Sequence, residues 1–551
     1  MDDDRIVSGH IVDVLNREIY DGSVVVRNGR IESIVRSEVS SDAPYILPGM
    51  VDSHVHIEST LLIPEKYAAL AVEKGVVAVV SDPHEIANVL GVPGVMFMIE
   101  NGRKVRFHFN FAASPVVPCT TFETAGASFS IGDIEALLSR DDIYGLGEFM
   151  NVPGVVSADS RCQAILDAVK RVGKPIDGHA PGATKDVLRL YADAGVTTDH
   201  ECVTLSEAYD HLDVGIKVII REGSASCDFE ALSPLLAECT DSLMFCSDDK
   251  YPGELLEGYI DSLVRRSLAK GMPLWNVLNA ACVTPVRHYG LRNGLLQQGD
   301  SADFIVVDNL QDFNVLSTFI DGRAVYENGM LRSDELLTDP SPLDVMPNRF
   351  AAGSITADDI RVTPAGELMK VIVAENLSIR TGMKYVRPLV KDGNVISDTG
   401  HDVLKMVVCN RYESAAPQMA FISGFRLKRG AMASTIAHDS HNIVAVGASD
   451  AELVRVINRL TELRGGIVIS DGNGGISELP LPVAGLMSPL DGREVARRFS
   501  HLLSQAASQG CPFSAAFMTL SFMCLPVIPD LKLTDKGLFD VRKFGFTNLF
   551  V

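Results

Sequence analysis

The stretch ILPGMVDSHVHIEST, residues 46–60, decides how this chain reads. It begins apolar, passes through Pro48 and Gly49, and ends in His54, His56 and Glu58. A β-strand alternates its side chains between two faces, so His54 and His56, two positions apart, point the same way. Imidazole nitrogens bind Zn, Mn and Fe ions, and two of them at a strand's end are the beginning of a metal site. A helical pattern, PEKYAALAVEKG (64–75), follows at once.

The same strand-then-helix unit recurs. Seven more short apolar runs follow: VVAVVSDPHE (76–85), VRFHFNFAAS (105–114), IYGLGEFMN (143–151), PIDGHAP (175–181), TTDHEC (197–202), GIKVIIREGSA (215–225) and SLMFCSDD (242–249). Helical stretches such as SRCQAILDAVKRVG (160–173) separate them. Alternation over residues 48–290 predicts an α/β fold with a parallel sheet, and eight units of this size fit a (β/α)8 TIM-like barrel. Each run starts apolar and ends in polar or ionisable residues. That places the chemistry at the C-terminal rim of the barrel.

Outward from the barrel, residues 5–36 and 295–330 alternate with period two around Gly-containing turns. They are expected to pair from both sides of the barrel into one small composite β-sandwich domain, residues 1–47 plus 291–332. Residues 333–360, rich in Asp, Pro and Ser, read as a linker. Residues 361–551 bring new strand and helix patterns and read as a separate C-terminal α+β domain. A chain of 551 residues is long enough for several cores.

The net charge of −22 argues against nucleic acid or an anionic membrane as partner, since both need clustered Lys and Arg. Small uncharged ligands stay open. The ten cysteines show no CxxC pair and read as thiols in a reducing compartment. The N-terminus MDDDRIVSGH is acidic, without the apolar core of a signal peptide, and no apolar run reaches the length of a membrane span. A cytoplasmic protein is expected.

Four more ligand-type residues sit at predicted strand ends: Glu148, His179, His200 and Asp248, the last beside Asp249. Each has an ordinary alternative, because a strand-end His is often only hydrogen-bonded and a strand-end Asp often caps a helix. Barrel closure would bring them into one mouth with His54 and His56. The six suffice for two divalent ions, with Glu148 able to bridge. Such a pair lowers the pKa of a bridging water toward neutrality and supplies hydroxide.

The motif PGMVDSHVHIES (48–59) resembles the signature of the amidohydrolase superfamily. DPHEIANVLG (82–91), FETAGA (122–127), DGHAPG (177–182), DDKYPGELLEGYID (248–261) and IAHDSHNIVAVG (436–447) are similar to the adenine deaminase family in particular, over nearly the whole chain. The resemblance implies hydrolytic deamination of adenine to hypoxanthine and ammonia in purine salvage or catabolism. It also implies two divalent ions per subunit, Mn2+ or Fe2+ ahead of Zn2+. Many superfamily members carry a carboxylated Lys at the end of strand four; this chain has Glu148, which counts against cyclic-amide hydrolases.

On this reading Asp248 is ligand and proton shuttle, with Asp249 the alternative and Glu85 a further acid–base candidate. Glu58, His84 and Glu85 are expected to line the base pocket, although His84 and Glu85 could merely start the next helix; Ser114 and Glu123 are weaker pocket candidates. Arg221 and Glu222 read equally as a structural ion pair or as a substrate contact. His438, Asp439 and His441, an unusual polar cluster before an apolar strand, read as a lid, as an extra metal contact, or as a surface turn. DGNGGIS (471–477) lacks the Lys and spacing of a phosphate loop and reads as a turn. Trp275 is expected to pack a helix onto the barrel.

The rival enzymatic readings are a sugar-amide deacetylase and a cyclic-amide hydrolase. A non-catalytic barrel-fold binding protein is the rival of another class, and it has no need of six ligands. A homodimer is the expected assembly.

Overall fold

The structure is a computed structural model that describes residues 5–343 and 345–551. Eight parallel strands form the central sheet: Met50–Val55, Val76–Ser81, His108–Ala113, Ile143–Phe149, Ile176–Gly178, Thr198–Asp199, Lys217–Arg221 and Leu243–Cys246. Each lies within the run predicted for it. The sheet closes on itself where the Asp248 amide donates to the His54 carbonyl at 3.0 Å, next to a parallel bridge between Val55 and Asp248. The result is the expected TIM-like barrel. Strands such as Val76–Ser81 are buried along their whole length, which explains why they read as continuous Val-rich runs rather than alternating ones.

The barrel helices follow from their apolar spacing. In Ser160–Val172, Cys162, Ile165, Leu166 and Val169 recur every three to four residues and are buried. Asp159 caps this helix by accepting from the amides of Arg161 and Cys162, and Gly173 ends it in the left-handed conformation. Trp275 lies in the short helix Leu274–Leu278 and is half-buried against the barrel core, as expected.

The two flanking β pieces join one eight-stranded mixed sheet. The junction is Tyr45–Pro48, which pairs in parallel with Arg5–Asp13 and antiparallel with Phe304–Val307. Sequence from both sides of the barrel therefore meets at the strand that leads directly into His54.

The C-terminal residues build a second eight-stranded mixed sheet, from Thr381–Val386 to Ile476–Pro480. Helix Asp450–Leu463 covers one face through Leu453, Val456, Ile457 and Leu460. The other face joins the barrel in one continuous core through Met432, Val444 and Val446. Between the last two strands, Asp471 accepts from the amides of Asn473 and Gly475, so DGNGGIS is a hairpin turn. Helix Gly492–Ser508 meets the barrel helix Pro64–Ala71, where Gly492 leaves room for Leu70. All ten cysteines are free thiols. Among the described residues no helix is long and apolar enough to cross a membrane.

Candidate active site

The six predicted ligands meet at the C-terminal rim of the barrel. His54 Nε2 lies 3.2 Å from His56 Nε2, and Asp248 Oδ1 lies 3.7 Å from the first and 3.3 Å from the second. Glu148 faces two ways. Its Oε1 is 3.4 Å from His56 Nε2, while its Oε2 is 2.8 Å from His179 Nδ1 and 3.4 Å from His200 Nε2. The rings of His54 and His200 stack with centroids 4.0 Å apart. Five of these residues are almost completely buried and His179 is half-buried.

The donor set fits divalent cations. His56 Nδ1 sits 3.0 Å from the Asp82 carbonyl, which turns Nε2 toward the cluster. His54 Nε2 faces it, and His54 Nδ1 has no hydrogen-bond partner. Ring nitrogens about 3 Å apart are at the separation expected of ligands sharing one ion with bonds near 2.0–2.2 Å. Burial by itself would raise the Glu148 carboxyl, but His179 and His56 hold it well below the usual range. A carboxylate ionised in so buried a place needs positive charge.

A supporting layer sets these side chains. Asp52, wholly buried, accepts from the His54 and Ser247 amides at 3.2 and 3.1 Å and from the Tyr259 hydroxyl at 2.6 Å, which ties strand one to strand eight. Burial raises the Asp52 carboxyl to about 6. Asp82 accepts from the Glu148 amide at 3.0 Å. Arg221, buried, donates to Asp248 Oδ2 at 3.1 Å, to Asp228 at 3.0 Å and to Glu201. The expected Arg221–Glu222 pair does not form: Glu222 bonds Arg266 instead. The reason is strand alternation, which turns Arg221 inward to the acids of the rim and leaves its neighbour outside.

The cluster opens into a narrow cleft. His84, Glu85, Asp249, His438 and Asp439 line it with the ligands. His84 and Glu85 also begin helix His84–Leu90, so the structural and the lining roles coexist. Asp249 accepts from the Ser59 hydroxyl, and its carboxyl is raised by burial and then by the neighbouring charge of Asp248. Glu58, Ser114 and Glu123 are buried behind the lining. Glu58 Oε1 accepts from the Ile86 amide at 3.1 Å, Ser114 from the Val116 amide at 3.4 Å, and Glu123 lies near Asp439, whose charge and burial together hold it protonated well above the usual range.

The turn carrying His438, Asp439 and His441 is buried over the barrel mouth. The Tyr412 hydroxyl donates to the Ser440 carbonyl at 2.6 Å, Arg411 donates to the His441 carbonyl at 3.1 Å, and the Asn442 side chain reaches the Thr124 carbonyl of the barrel at 2.9 Å. Phe522 stacks on His438 with ring centroids 4.4 Å apart.

Sequence reasoning missed several residues here. Glu201 adjoins His200 but reaches the cluster, 3.6 Å from His179, because alternation ends with the strand at Asp199 and Asp199 Oδ1 turns the chain by accepting the Glu201 amide. Its position beside a strand-end ligand was the available signal. Ile379, Phe522, Leu525 and Ile528 form an apolar wall on the cleft. They are ordinary apolar residues far along the chain, with no local signal.

The sequence profile of the amidohydrolase family matches residues 45–325, and that of the adenine deaminase C-terminal domain matches residues 378–545. An adenine deaminase of Methanosarcina mazei is 46% identical over 98% of this chain and 99% of its own length. The chain belongs to the adenine deaminase family. An adenine deaminase of Salinibacter ruber is 47% identical over 99% of both chains. Among solved structures, a β-aspartyl dipeptidase of Fervidobacterium islandicum is 16% identical, with a TM-score of 0.47, covering 60% of this chain and 98% of its own. An N-acetylglucosamine-6-phosphate deacetylase of Mycobacterium smegmatis gives 15%, 0.45, 59% and 99%. As a member of the family, the chain is a metal-dependent hydrolase.

Proposed function

We propose that this protein deaminates adenine, adding water at C6 to give hypoxanthine and ammonia. Full-length identity to proteins named adenine deaminases supports the substrate. The observation that carries the chemistry is Glu148, whose two oxygens face two separate groups of histidines. This suits a pair of cations, one held by His54, His56 and Asp248, the other by His179 and His200, with Glu148 common to both. Mn2+ or Fe2+ is the expected metal, with Zn2+ also suited to the ligands. Bound divalent ions would acidify a water molecule and so furnish the nucleophile at neutral pH.

The chain's own residues manage protons and position. Addition of oxygen at C6 pushes an electron pair onto a ring nitrogen, and the C6–N bond breaks only when the amine leaves as ammonia. Two protons therefore move. Asp248 faces the histidines with Oδ1 and is braced from behind by Arg221 on Oδ2, so it is placed to take the two protons of water in turn, passing one to the ring nitrogen as oxygen adds and the other to the amine as it departs. Asp249, engaged by Ser59, takes a positioning role in this scheme. His84 lines the cleft and presents a ring nitrogen toward the base, while Glu85 and His438 pair with each other at 2.7 Å. Phe522, Leu525 and Ile528 would cover the flat face of the base and exclude water. The cellular role implied is purine salvage or catabolism, in the cytoplasm, with a homodimer as the expected assembly.

The test is ammonia release from adenine by the purified protein, with and without added Mn2+, against acetate release from N-acetylglucosamine 6-phosphate and ring opening of dihydroorotate. Adenine alone should turn over, and chelation should abolish it. A fully metallated protein inert toward adenine would overturn the reading.

A further inference from the structure

Glu85 stands apart from the six-residue cluster and is gripped by the C-terminal sheet. His438 Nδ1 lies 2.7 Å from its Oε1, and His441 Nε2 contacts its Oε2. All three side chains are at most 3% exposed. Yet the contact between His441 and Glu85 lacks hydrogen-bond geometry: Glu85 Oε2 and both ring nitrogens of His441 have no hydrogen-bond partner. A buried carboxylate oxygen and an imidazole left unsatisfied side by side is a costly arrangement and calls for a missing partner.

The backbone points the same way. His441 holds φ at +55°, the left-handed region that a residue with a side chain rarely adopts. Its amide is fixed by the Ala437 carbonyl at 2.7 Å and its own carbonyl by Arg411. The fold thus spends several hydrogen bonds on aiming this ring at Glu85. Strain of this kind persists only where the surroundings hold it, and here they hold the ring against Glu85.

We propose that Glu85, His438 and His441 form a third divalent-cation site, distinct from the pair in the barrel mouth and shared between the barrel and the C-terminal sheet. One ligand atom from each lies within 4.8 Å of the others. Two imidazoles and one carboxylate are the facial set that holds first-row transition metals and leaves positions open. His84 separates this site from the barrel cluster, with Nε2 3.4 Å from Glu85 Oε1 and Nδ1 3.4 Å from Glu148 Oε1. A cation here satisfies the orphaned atoms at once and pins the C-terminal turn onto helix His84–Leu90.

The experiment counts metal rather than turnover, so it can fail or succeed independently of the adenine reading. Full-length protein is stripped with a chelator, dialysed to saturation against Mn2+, and its metal measured by mass spectrometry, with bound Mn2+ followed by electron paramagnetic resonance. Three equivalents per chain are expected for the wild type and two for His441→Ala. The double variant His54→Asn, His56→Asn should keep the equivalent that His441→Ala loses. Saturation of the wild type at two equivalents, with none retained by the His54→Asn, His56→Asn variant, overturns the proposal. So does a folded His441→Ala protein that still binds three.

Discussion

Gly147 and Asp82 pack against each other only because Gly147 has no side chain: a Cβ there would stand 2.0 Å from Asp82 Oδ2. That same oxygen accepts the Glu148 amide, so strand four carries the Glu148 carboxylate on a backbone held by Asp82 at the end of strand two. Gly147→Ala forces Asp82 or the strand to move and displaces Glu148. A shift of about 1 Å in a catalytic group lowers rate by roughly 100-fold, and overpacking costs about 1–3 kcal/mol of stability. Ammonia release should fall by that order with a lower denaturation midpoint. An alanine variant with wild-type turnover would show that the contact does not position Glu148.

Asp248 and Asp249 are neighbours with different surroundings. Asp248 lies among the histidines and Arg221, while Asp249 bonds Ser59. Asp248→Asn should lower kcat by about 10²–10⁴-fold, the range of a lost acid–base group, while much of the metal is retained through the histidines and Glu148. Asp249→Asn should have the smaller effect. Turnover rates paired with metal analysis on both variants decide the assignment, and unchanged turnover in Asp248→Asn removes it from the mechanism.

Stability should also depend on pH through a pair far from the ligands. His108, on the third barrel strand, lies 3.2 Å from Asp303, which opens the returning part of the composite sheet. Burial opposes a charged His108, but Asp303 overcomes it and raises the imidazole above its ordinary value; His108 in turn lowers the Asp303 carboxyl, against its burial. The raised His stabilises the fold fully below its unfolded value of about 6.5, and that contribution is lost as pH rises through the folded value. The lowered Asp contributes above about 3.9 and is lost as pH falls through its folded value. The pair therefore acts most strongly between those limits. Urea unfolding from pH 5 to 9 should show wild type losing stability relative to His108→Asn as pH rises. Parallel curves for the two would sink the assignment.

Most of the barrel and the convergence of the six candidate ligands were legible because each carries a local signature. Buried parallel strands are short Val- and Ile-rich runs, and ligands fall where those runs turn polar. The closing contact of strands one and eight, by contrast, is a backbone bond between His54 and Asp248 that no local pattern encodes. Glu58 was read as a pocket residue for its strand-end position, and Ser114 and Glu123 were weaker pocket candidates; a bond to a helix amide, a local turn and a buried acidic neighbour describe their places. Ile379 and Phe522 could not be seen, since an apolar wall differs from core only in what it faces. Of the two readings of Arg221 and Glu222, the mutual ion pair fails because the partner of Glu222, Arg266, lies on helix Ile260–Ala269, far along the chain.

Arg411 joins the C-terminal turn to its support without any carboxylate. Fully buried, it donates to the carbonyls of His441 at 3.1 Å, Ala484 at 2.6 Å and Arg349 at 3.3 Å and to the Asn348 side chain at 3.0 Å. Burial lowers its pKa, so the charge is retained by the convergence of these acceptors. Arg411→Met keeps the bulk and removes all four bonds, leaving the buried carbonyls of His441 and Ala484 and two part-buried acceptors short. Hydrogen bonds to a charged group are worth about 1.5–3 kcal/mol each, and because some acceptors will find water, a net loss of about 3 kcal/mol is expected. The turn over the barrel mouth should loosen while the ligands in the barrel stay in place. The readout is therefore a split one. KM for adenine should rise and hydrogen exchange of residues 437–442 should quicken, with the metal of the barrel cluster undiminished. If Arg411→Met lost the barrel metal as well, the turn and the ligand cluster would be one cooperative unit, and the separate role drawn for this arginine would be wrong.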